Sequence, residues 1–302
     1  MRKILTLLLI MLGTGITLSL TAQESTFSQY LSNPLFLNPA YAGSTNCSQF
    51  AVQYRNGSIL GSWGLDQSLN ASYDQPLGKS SAVGLQFTYE RLADVAFQNF
   101  CLDAVYAHNF QISEKFSFRP GISLGVLREH VDWERFLFYD QILHDTVQVF
   151  PKDNITVFDL KLGFLIKYQK LTAGISIDHL NKPKYTFIEG SEKNELTSRL
   201  FMHIDYRAKI NEKFSITPGL VIDKYLVRNS EAIYLPSLKF DVNKLTLGLA
   251  TRIFNDQIAS VIGMAGYSGK KIGGLISYDI NNKRYFYQNT LEVTAYYRFG
   301  CK

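Results

Sequence analysis

Alternation of apolar and polar residues, sustained over segments of about ten residues, is the feature that most constrains the fold of this chain. Across Thr156–Tyr168 the apolar residues fall on every second position, and Lys161 and Lys167 lie among the residues between them. The segment Leu291–Phe299 follows the same rule. A period of two places neighbouring side chains on opposite faces of a strand, so each segment predicts a β-strand with one apolar face. No window has a convincing helical period.

About fourteen such segments follow one another from Ser48 to the C-terminus. An even number of antiparallel strands, with both chain ends on one side, is typical of a single-chain outer-membrane barrel. The connections agree, because short turns alternate with longer connections such as Asn56–Leu65 and Glu129–Asn154, which we assign to the outer side. The sequence therefore predicts an all-β fold, a transmembrane antiparallel β-barrel of about 14 strands. A soluble β-sandwich is the alternative, and it would not show this alternation of connection lengths.

The composition fits a chain with two opposite surfaces. The 302 residues include 18 Tyr and 21 Phe, and the mean hydropathy is −0.05. When the hydropathy of lipid-facing aromatic residues is averaged with that of charged lumen residues, the mean is near zero, although every strand is amphipathic. The formal net charge is +5, or +5 − 2 = +3 without Arg2 and Lys3 of the N-terminus, which is too small to indicate nucleic-acid binding.

The N-terminus has the organisation of a secretory signal peptide. Arg2 and Lys3 precede an apolar stretch, Ile4–Leu20, and the small residue Ala22 stands before the chain becomes polar. A retained anchor helix is the alternative, but the stretch is short and lacks charge on its far side. The predicted domains are a cleaved signal peptide (1–22), an irregular N-terminal segment at the periplasmic side or barrel mouth (23–47) and the outer-membrane barrel (48–302).

Charged residues are concentrated on the polar face of the predicted strands, which we assign to the barrel lumen. Both signs occur on this face: Arg55, Arg119, Lys161, Lys167, Arg199, Arg207, Lys209, Arg252 and Arg298, with Asp74, Glu90, Asp103, Asp159, Asp178, Asp205, Asp223, Asp279 and Glu292. A selective pore tends to carry rings of one sign, whereas mixed signs pair with one another. The sequence therefore favours a packed or gated interior over an open porin.

A weak internal repeat links two of the predicted hairpins. Residues 113–124, SEKFSFRPGISL, resemble residues 211–222, NEKFSITPGLVI, and each copy carries a Pro-Gly pair, at Pro120 and at Pro218. Because proline removes a backbone donor and glycine permits a bulge, we expect a bend in the strand at each pair.

The irregular segment after the signal peptide carries a family resemblance. Phe27–Ser44, FSQYLSNPLFLNPAYAGS, strongly resembles the N-terminal hallmark of the PorP/SprF family of type IX secretion outer-membrane proteins. The similarity extends to the EKFSFRPG turn, to Asp159–Pro183 and to the C-terminal strand, so it covers essentially the whole mature chain. Its most specific part is the Asn-Pro-Ala-Tyr-Ala-Gly core from Asn38 to Gly43.

The resemblance implies a role in the secretion and surface attachment of type IX cargo, including gliding adhesins. Family members look like partners of individual cargo C-terminal domains or of the periplasmic machinery, and no matched motif decides between the two. The implied partners are outer-membrane lipid together with a secreted cargo protein, periplasmic secretion components or both, and no nucleic acid. A gated outer-membrane transporter of hydrophobic or small solutes is the alternative function, and a barrel phospholipase is a third.

Two regions offer candidate partner-binding residues. In the N-terminal segment, two Asn-Pro pairs are expected to start turns, and the apolar residues around them must be buried on the barrel or against a periplasmic partner. In the third outer connection the candidates are aromatic residues of the kind enriched at interfaces, although they equally fit an aromatic girdle of the barrel wall. The candidates are Asn33, Pro34, Asn38, Pro39, Tyr41, Gly43, Trp133, Phe136, Phe138 and Tyr139.

The residues that carry chemistry in other proteins form no convincing catalytic or cofactor set in this sequence. His203 with Asp205, and Ser176 with Asp178, each share a lumen face, but polar residues abound there and a catalytic set needs three convergent groups. His130 and two nearby acidic residues are better explained as a solvated loop than as metal ligands. We therefore expect no catalytic residue, no metal and no cofactor.

The three cysteines permit a specific hypothesis. Cys47 precedes the first predicted strand and Cys301 follows the last. In a closed antiparallel barrel those two strands are neighbours with both of these ends on the inner side, and exported proteins can hold disulfides. The hypothesis is a Cys47–Cys301 bridge that leaves Cys101 as a free, buried thiol, and a Cα separation above about 7 Å would exclude it.

Overall fold

The chain forms sixteen strand segments, in a computed structural model that describes residues 26–59, 62–92, 96–133, 152–187, 195–284 and 288–301. In chain order the strands are β1 (Ser48–Ile59), β2 (Ser62–Leu77), β3 (Ser81–Leu92), β4 (Phe97–His108), β5 (Phe110–Ser113), β6 (Phe116–Val131), β7 (Asn154–Tyr168), β8 (Leu171–Asp178), β9 (Arg199–Tyr206), β10 (Ala208–Lys209), β11 (Phe214–Tyr225), β12 (Ile233–Val242), β13 (Leu245–Phe254), β14 (Gln257–Ser268), β15 (Ile272–Asn281) and β16 (Thr290–Phe299). They are preceded by a short helix, α1 (Pro34–Leu37), and a 3-10 turn (Pro39–Tyr41). The predicted signal peptide, residues 1–22, lies outside the described residues.

The strands close into one antiparallel barrel. Strands that follow one another in the chain pair with one another, and β1 pairs with β16 from Ser48↔Phe299 to Gly57↔Thr290, which closes the sheet. β4 with β5, and β9 with β10, are each one barrel strand with a single-residue interruption, so the barrel has fourteen strands. This confirms the predicted fold class and strand number. In the described part of the chain, no helix has the length and apolar character needed to cross a membrane.

A proline accounts for the first interruption. Ala107 of β4 pairs with Gly121 of β6, and Phe110 of β5 pairs with Phe118, in one continuous register. The positions left unpaired in this register are His108 and Asn109, opposite Pro120 and Arg119, and Pro120 has no N–H to donate to this neighbour.

The second Pro-Gly pair repeats this arrangement. Gly219 pairs with Asp205 and Ile216 pairs with Ala208, so the positions left unpaired are Tyr206 and Arg207, opposite Pro218 and Thr217 of β11. On their other side both prolines lie in unbroken ladders, with β7 and with β12. Neither strand shifts register at its Pro-Gly pair, so the irregularity predicted there takes the form of an interrupted ladder and not of a bulge. The reason is that the missing N–H points toward only one of the two neighbouring strands.

The two ends of the barrel differ in the length of their connections. The short turns are residues 78–80, 114–115, 169–170, 210–213, 243–244 and 269–271. The connections at the other end include 93–96, 132–153, 179–198, 226–232 and 282–289, most of which are longer, whereas 255–256 is as short as a periplasmic turn. This assigns the short turns to the periplasmic end, as the sequence predicts. The long outer connection predicted at Asn56–Leu65 is wrong, because β1 extends to Ile59 and β2 begins at Ser62, which pair with each other. Barrel strands can continue beyond the apolar band, so polar residues did not mark a loop here.

The two faces of the wall have the expected character. Outward side chains are apolar and exposed, such as Leu85 at 54% and Leu249 at 61%, as a lipid-facing surface requires. Inward charged side chains are buried, and Glu292 has no exposed surface. Arg207 and Lys209 of the predicted lumen set lie exposed at the periplasmic rim, where Arg207 Nη2 is 3.8 Å from Asp241 Oδ2.

A disulfide crosses the seam of the barrel. Cys47 and Cys301 are bonded at the periplasmic ends of β1 and β16, and their Cα atoms lie 4.1 Å apart. Cys101 on β4 is free and buried. Both observations agree with the hypothesis drawn from the sequence.

Loss of this bridge is expected to weaken the barrel. The bridged cysteines are 254 residues apart in the chain, and a disulfide typically contributes about 2–4 kcal/mol because it restricts the unfolded chain. Cys301→Ser should lower the free energy of unfolding by about that amount, measured by urea titration of the barrel in lipid vesicles. Cys101→Ser serves as the control, because Cys101 forms no disulfide. Equal stability of Cys301→Ser and the wild-type protein would contradict a stabilising bridge.

Candidate functional site

The irregular N-terminal segment lies inside the barrel. Residues 26–47, called the lumen segment below, are largely buried, and Phe27, Asn33, Leu37 and Asn38 have no exposed surface. The barrel therefore buries the apolar residues of this segment itself, and it does so deeper than the barrel mouth that the sequence indicated.

Two Asn-Pro pairs shape the lumen segment. Pro34 opens α1 and Pro39 opens the 3-10 turn, because the fixed φ of proline suits a first helical position, where its missing N–H is not needed. Asn38 caps the turn, since its Oδ1 accepts a hydrogen bond from Ala40 N at 2.9 Å. Asn33 makes no such cap. Its side-chain amide binds the barrel wall instead.

Glu292 of β16 holds the start of the lumen segment. Its carboxylate accepts hydrogen bonds from the backbone N–H groups of Ser28 and Gln29, both at 2.8 Å. Gln53 Nε2 and Arg55 Nη1 donate to the same carboxylate at 2.7 and 3.0 Å. Burying a carboxylate costs free energy unless hydrogen bonds replace those to water, and these four donors provide them. In turn, the carboxylate accepts from two backbone N–H groups that would otherwise be unpaired.

A second buried carboxylate, Asp279 of β15, joins the lumen segment to two arginines. Asp279 Oδ2 accepts hydrogen bonds from Ser28 Oγ at 2.5 Å and from Arg55 Nη1 at 3.1 Å. Arg252 Nη1 lies 3.6 Å from the same oxygen, and Arg252 Nη2 donates to Ser28 Oγ at 2.9 Å. With Glu292, the cluster balances two buried positive charges with two negative ones, and Ser28 lies among all four.

Asn33 and Asn38 bind the wall through their side-chain amides. Asn33 Nδ2 donates to Asn70 Oδ1 of β2 at 2.7 Å. Asn38 Nδ2 donates to the backbone oxygens of Phe164 on β7 and Ile175 on β8, at 3.0 and 3.1 Å. The two asparagines therefore tie the segment to two separate parts of the wall.

A pair of facing glycines makes room for the turn that follows Asn38. Gly121 of β6 pairs with Gly163 of β7. A Cβ atom on Gly121 would overlap the backbone of Ala40, and one on Gly163 would overlap Asn38 Oδ1 and lie 2.9 Å from Pro39 Cδ. As long as the 3-10 turn keeps this position, only glycine fits at these two sites.

The end of the lumen segment is fixed at the periplasmic rim. Gly43 N donates to Asp74 Oδ2 at 2.7 Å, and the φ of Gly43 is 64°, in the left-handed region that favours glycine. Cys47 then joins the seam through its disulfide. The segment thus runs from the periplasmic end, at Cys47, up the lumen to Ser28, whose partners lie near the outer ends of β15 and β16.

Apolar packing fills one side of the lumen between these polar anchors. Phe27, Tyr30 and Leu37 of the lumen segment form a buried cluster with Phe201 and Val221 of the wall. Burying one such side chain completely is worth about 1.5–3 kcal/mol. The segment is therefore held by packing as well as by hydrogen bonds.

Two of the side chains that the sequence offered for catalysis, His203 and Ser176, contact the lumen segment. His203 lies with Nδ1 3.4 Å from Tyr41 Oη and with Nε2 3.5 Å from Asn38 Nδ2. Ser176 Oγ donates to Leu37 O at 2.6 Å. Among the residues that the structure describes, no three His, Cys, Asp or Glu side chains are grouped to hold a metal ion.

The candidate partner-binding residues fall into two groups. The six in the lumen segment lie among wall contacts, so a partner would reach them only if the segment left the lumen: Asn33, Pro34, Asn38, Pro39, Tyr41 and Gly43. On the outer side, Trp133 Nε1 donates to Lys152 O at 2.8 Å, and its ring centroid lies 5.7 Å from that of Phe187. Phe136, Phe138 and Tyr139 lie outside the described residues.

Sequence reasoning missed the wall residues that receive the segment. Glu292 and Asp279 were predicted as lumen charges that pair with other wall residues, and Gly121 was predicted only as part of a bend. The sequence carried two weak signals of a segment inside the lumen. Adjacent strands have glycines at matching inward positions, Gly121 and Gly163, and Asn70 places an uncharged amide at a lumen position. Inward glycines leave space, and such space requires something to fill it.

Solved structures of outer-membrane channels share this fold. The toluene transporter TbuX of Ralstonia pickettii matches with a TM-score of 0.53 and 10% identity, covering 89% of this chain and 94% of that chain. The monoaromatic hydrocarbon channel CymD matches with a TM-score of 0.53 and 10% identity, covering 92% and 95%. At these identities the likeness shows the fold alone. No curated protein matches the sequence.

A family model matches almost the full length of the chain. The model describes the type IX secretion system membrane protein PorP/SprF, and it matches residues 19–297. The matched range includes the lumen segment and nearly all of the barrel wall. The barrel fold places the protein in the outer membrane. The chain therefore belongs to the PorP/SprF family of type IX secretion system membrane proteins.

Proposed function

We propose that this barrel is a closed docking component of type IX secretion, which binds a partner at its rims and does not conduct solutes. The observation that carries the proposal is the position of the lumen segment, which runs from the periplasmic end of the lumen to its outer half. Because the chain itself occupies the lumen, the surfaces left for a partner are the periplasmic turns and the outer connections.

The periplasmic rim has a strong positive charge. Every periplasmic turn carries an exposed lysine: Lys79, Lys115, Lys170, Lys213, Lys244, Lys270 and Lys271. The acidic residues in the same turns are Glu114 and Glu212. A ring of positive charge attracts a negatively charged protein surface and orients it. We assign to this rim the contact with a periplasmic component of the secretion machinery.

The outer connections offer a second surface. The contact between Trp133 and Phe187 brings the third and fourth outer connections together beside the end of β6. Large aromatic side chains of this kind anchor protein interfaces. We assign to these connections the contact with the C-terminal domain of a secreted cargo protein.

Affinity isolation from the native outer membrane tests the proposal. The tagged wild-type barrel should co-purify a type IX cargo protein, a periplasmic secretion component or both. A variant with Lys115, Lys170, Lys213 and Lys244 replaced by glutamine should recover at least tenfold less of the periplasmic component, since the attraction is electrostatic. Lys182→Gln, in the fourth outer connection, is the matched control and should recover it as the wild type does.

Three outcomes would contradict the proposal. If the wild-type barrel is recovered without any partner protein, the proposed docking function is contradicted. If the four-lysine variant recovers as much of the periplasmic component as the wild type does, the periplasmic rim is not the surface that binds it. Uptake of small apolar solutes that depends on this barrel would favour the transporter instead.

A further inference from the structure

The lipid-facing wall carries a polar patch at the outer ends of β3, β4, β6 and β7. Side chains from these four strands align in rows across the wall. Two successive rows are apolar: Leu85, Ala104, Leu124 and Leu160, then Phe87, Leu102, Val126 and Phe158. The next two rows toward the outer end are Tyr89, Phe100, Arg128 and Thr156, then Arg91, Gln98, His130 and Asn154. We call these last two rows the outer patch.

The change of character between rows locates the membrane boundary. Successive rows on one face are two residues apart, about 6.6–6.8 Å along a strand. Arg128 therefore lies one row beyond Val126, whose side chain still faces hydrocarbon. This places the outer patch at the depth of the outer-leaflet headgroups.

The outer patch forms an open groove with oriented donors. The groove has a volume of about 470 Å³ and is lined in part by Tyr89, Gln98, Arg128 and His130. Arg128 is exposed, and its Nε and Nη2 donate to Asn154 Oδ1 at 3.3 and 3.0 Å. A guanidinium has five N–H donors, so Asn154 fixes the orientation of Arg128 and leaves others for a ligand. Tyr89 Oη donates to Gln98 Oε1 at 3.0 Å in the same groove.

The chemistry of the outer patch selects for an anion. Its two rows contain Arg91, Arg128 and His130 and no carboxylate, and Asp153 beside them accepts a hydrogen bond from Asn154 Nδ2 at 2.9 Å. Arginine binds phosphate through two parallel hydrogen bonds, which makes it the preferred residue for that group. The apolar rows below the patch provide a surface along which acyl chains attached to such a phosphate would lie.

From these features we infer that the outer patch binds the phosphate of an outer-leaflet glycolipid of the lipid A type. Arg128 contacts the phosphate, His130 offers a ring nitrogen in the same groove, Arg91 adds positive charge two strands away, and the acyl chains pack on the apolar rows. This site lies on the outside of the wall, and it does not depend on the lumen segment or on the docking of a secretion partner.

Lipid retention by the full-length barrel, measured by native mass spectrometry in detergent, tests the site. The probes are diphosphorylated lipid A, the same lipid without its phosphates, and inorganic phosphate. The wild-type barrel should retain the phosphorylated lipid at least tenfold better than the dephosphorylated one. Arg128→Gln should reduce that retention about tenfold, because one charge-assisted contact is lost, and Arg128→Lys should fall between.

Lys224→Gln is the matched control, because Lys224 faces lipid on β11, outside the outer patch. It should retain the lipid as the wild type does. Equal retention by Arg128→Gln and Lys224→Gln, or equal retention of the two lipids, would overturn the site. Displacement of the lipid by inorganic phosphate at the same concentration would overturn the assignment to a lipid. If Arg128→Gln does not fold, Arg91→Gln provides the same comparison.

Discussion

Replacing Glu292 by alanine is expected to release the lumen segment from the barrel. The substitution removes the acceptor of hydrogen bonds from Ser28, Gln29, Gln53 and Arg55. Breaking a buried charge pair costs about 3–5 kcal/mol, and most of that cost falls on the docking of the segment, because the ladder of β16 uses backbone groups alone. We expect low ionic current across a planar bilayer that holds the wild-type barrel, and a clear increase with Glu292→Ala.

Two further variants separate this effect from a general loss of structure. Glu292→Gln keeps the size of the side chain and one acceptor oxygen, so its current should lie between the other two. Val293→Ala, on the lipid-facing side of the same strand, should match the wild type. Unchanged current in Glu292→Ala, with the lumen segment still protected from protease, would refute the anchoring role of Glu292.

Valine in place of Gly163 should displace the lumen segment from another part of the wall. A side chain at this position would overlap Asn38 Oδ1 and press on Pro39. Overpacking of a close contact typically costs about 1–3 kcal/mol and occasionally more. Because valine itself suits a strand, the barrel should fold while the segment around Asn38 becomes accessible to protease. Limited proteolysis followed by mass spectrometry of the N-terminal fragment measures this directly.

Gly263→Val provides a matched comparison for the valine substitution. Gly263 lies in β14, and a Cβ atom built there has no neighbour within 4 Å. This variant should keep the lumen segment as protected as in the wild-type barrel. Equal protection of Gly163→Val and Gly263→Val would show that the turn does not rest on the glycine pair.

The barrel wall was predictable because its physics is local. A period of two residues, as in Thr156–Tyr168, determines both strand identity and which side chains face lipid. Closure followed from the even strand count, and closure brings Cys47 and Cys301 to one seam. Loop positions were less predictable, as Asn56–Leu65 shows, because polar residues beyond the apolar band can still pair in a ladder.

The lumen segment was not predictable in the same way. It has no period of 2 or 3.6 residues, so its sequence does not indicate which of its side chains are buried. Its main partners are remote in the chain, as with Ser28 and Asp279, which are 251 residues apart. Only the closed barrel brings them together, so Glu292 gave no sign of its role in the sequence and Gly163 gave only a weak one.

The position of the lumen segment inside the barrel is tested most directly by a cross-link. With Cys101 replaced by serine, Asn33→Cys and Asn70→Cys place two thiols where the side-chain amides lie 2.7 Å apart. A short bifunctional thiol reagent should join them in barrels within the native outer membrane, as detected by mass spectrometry. Leu69→Cys in place of Asn70→Cys, one residue away and facing lipid, should give no product. Absence of the first product, or equal yields from both pairs, would contradict a lumen that is filled by its own N-terminal segment.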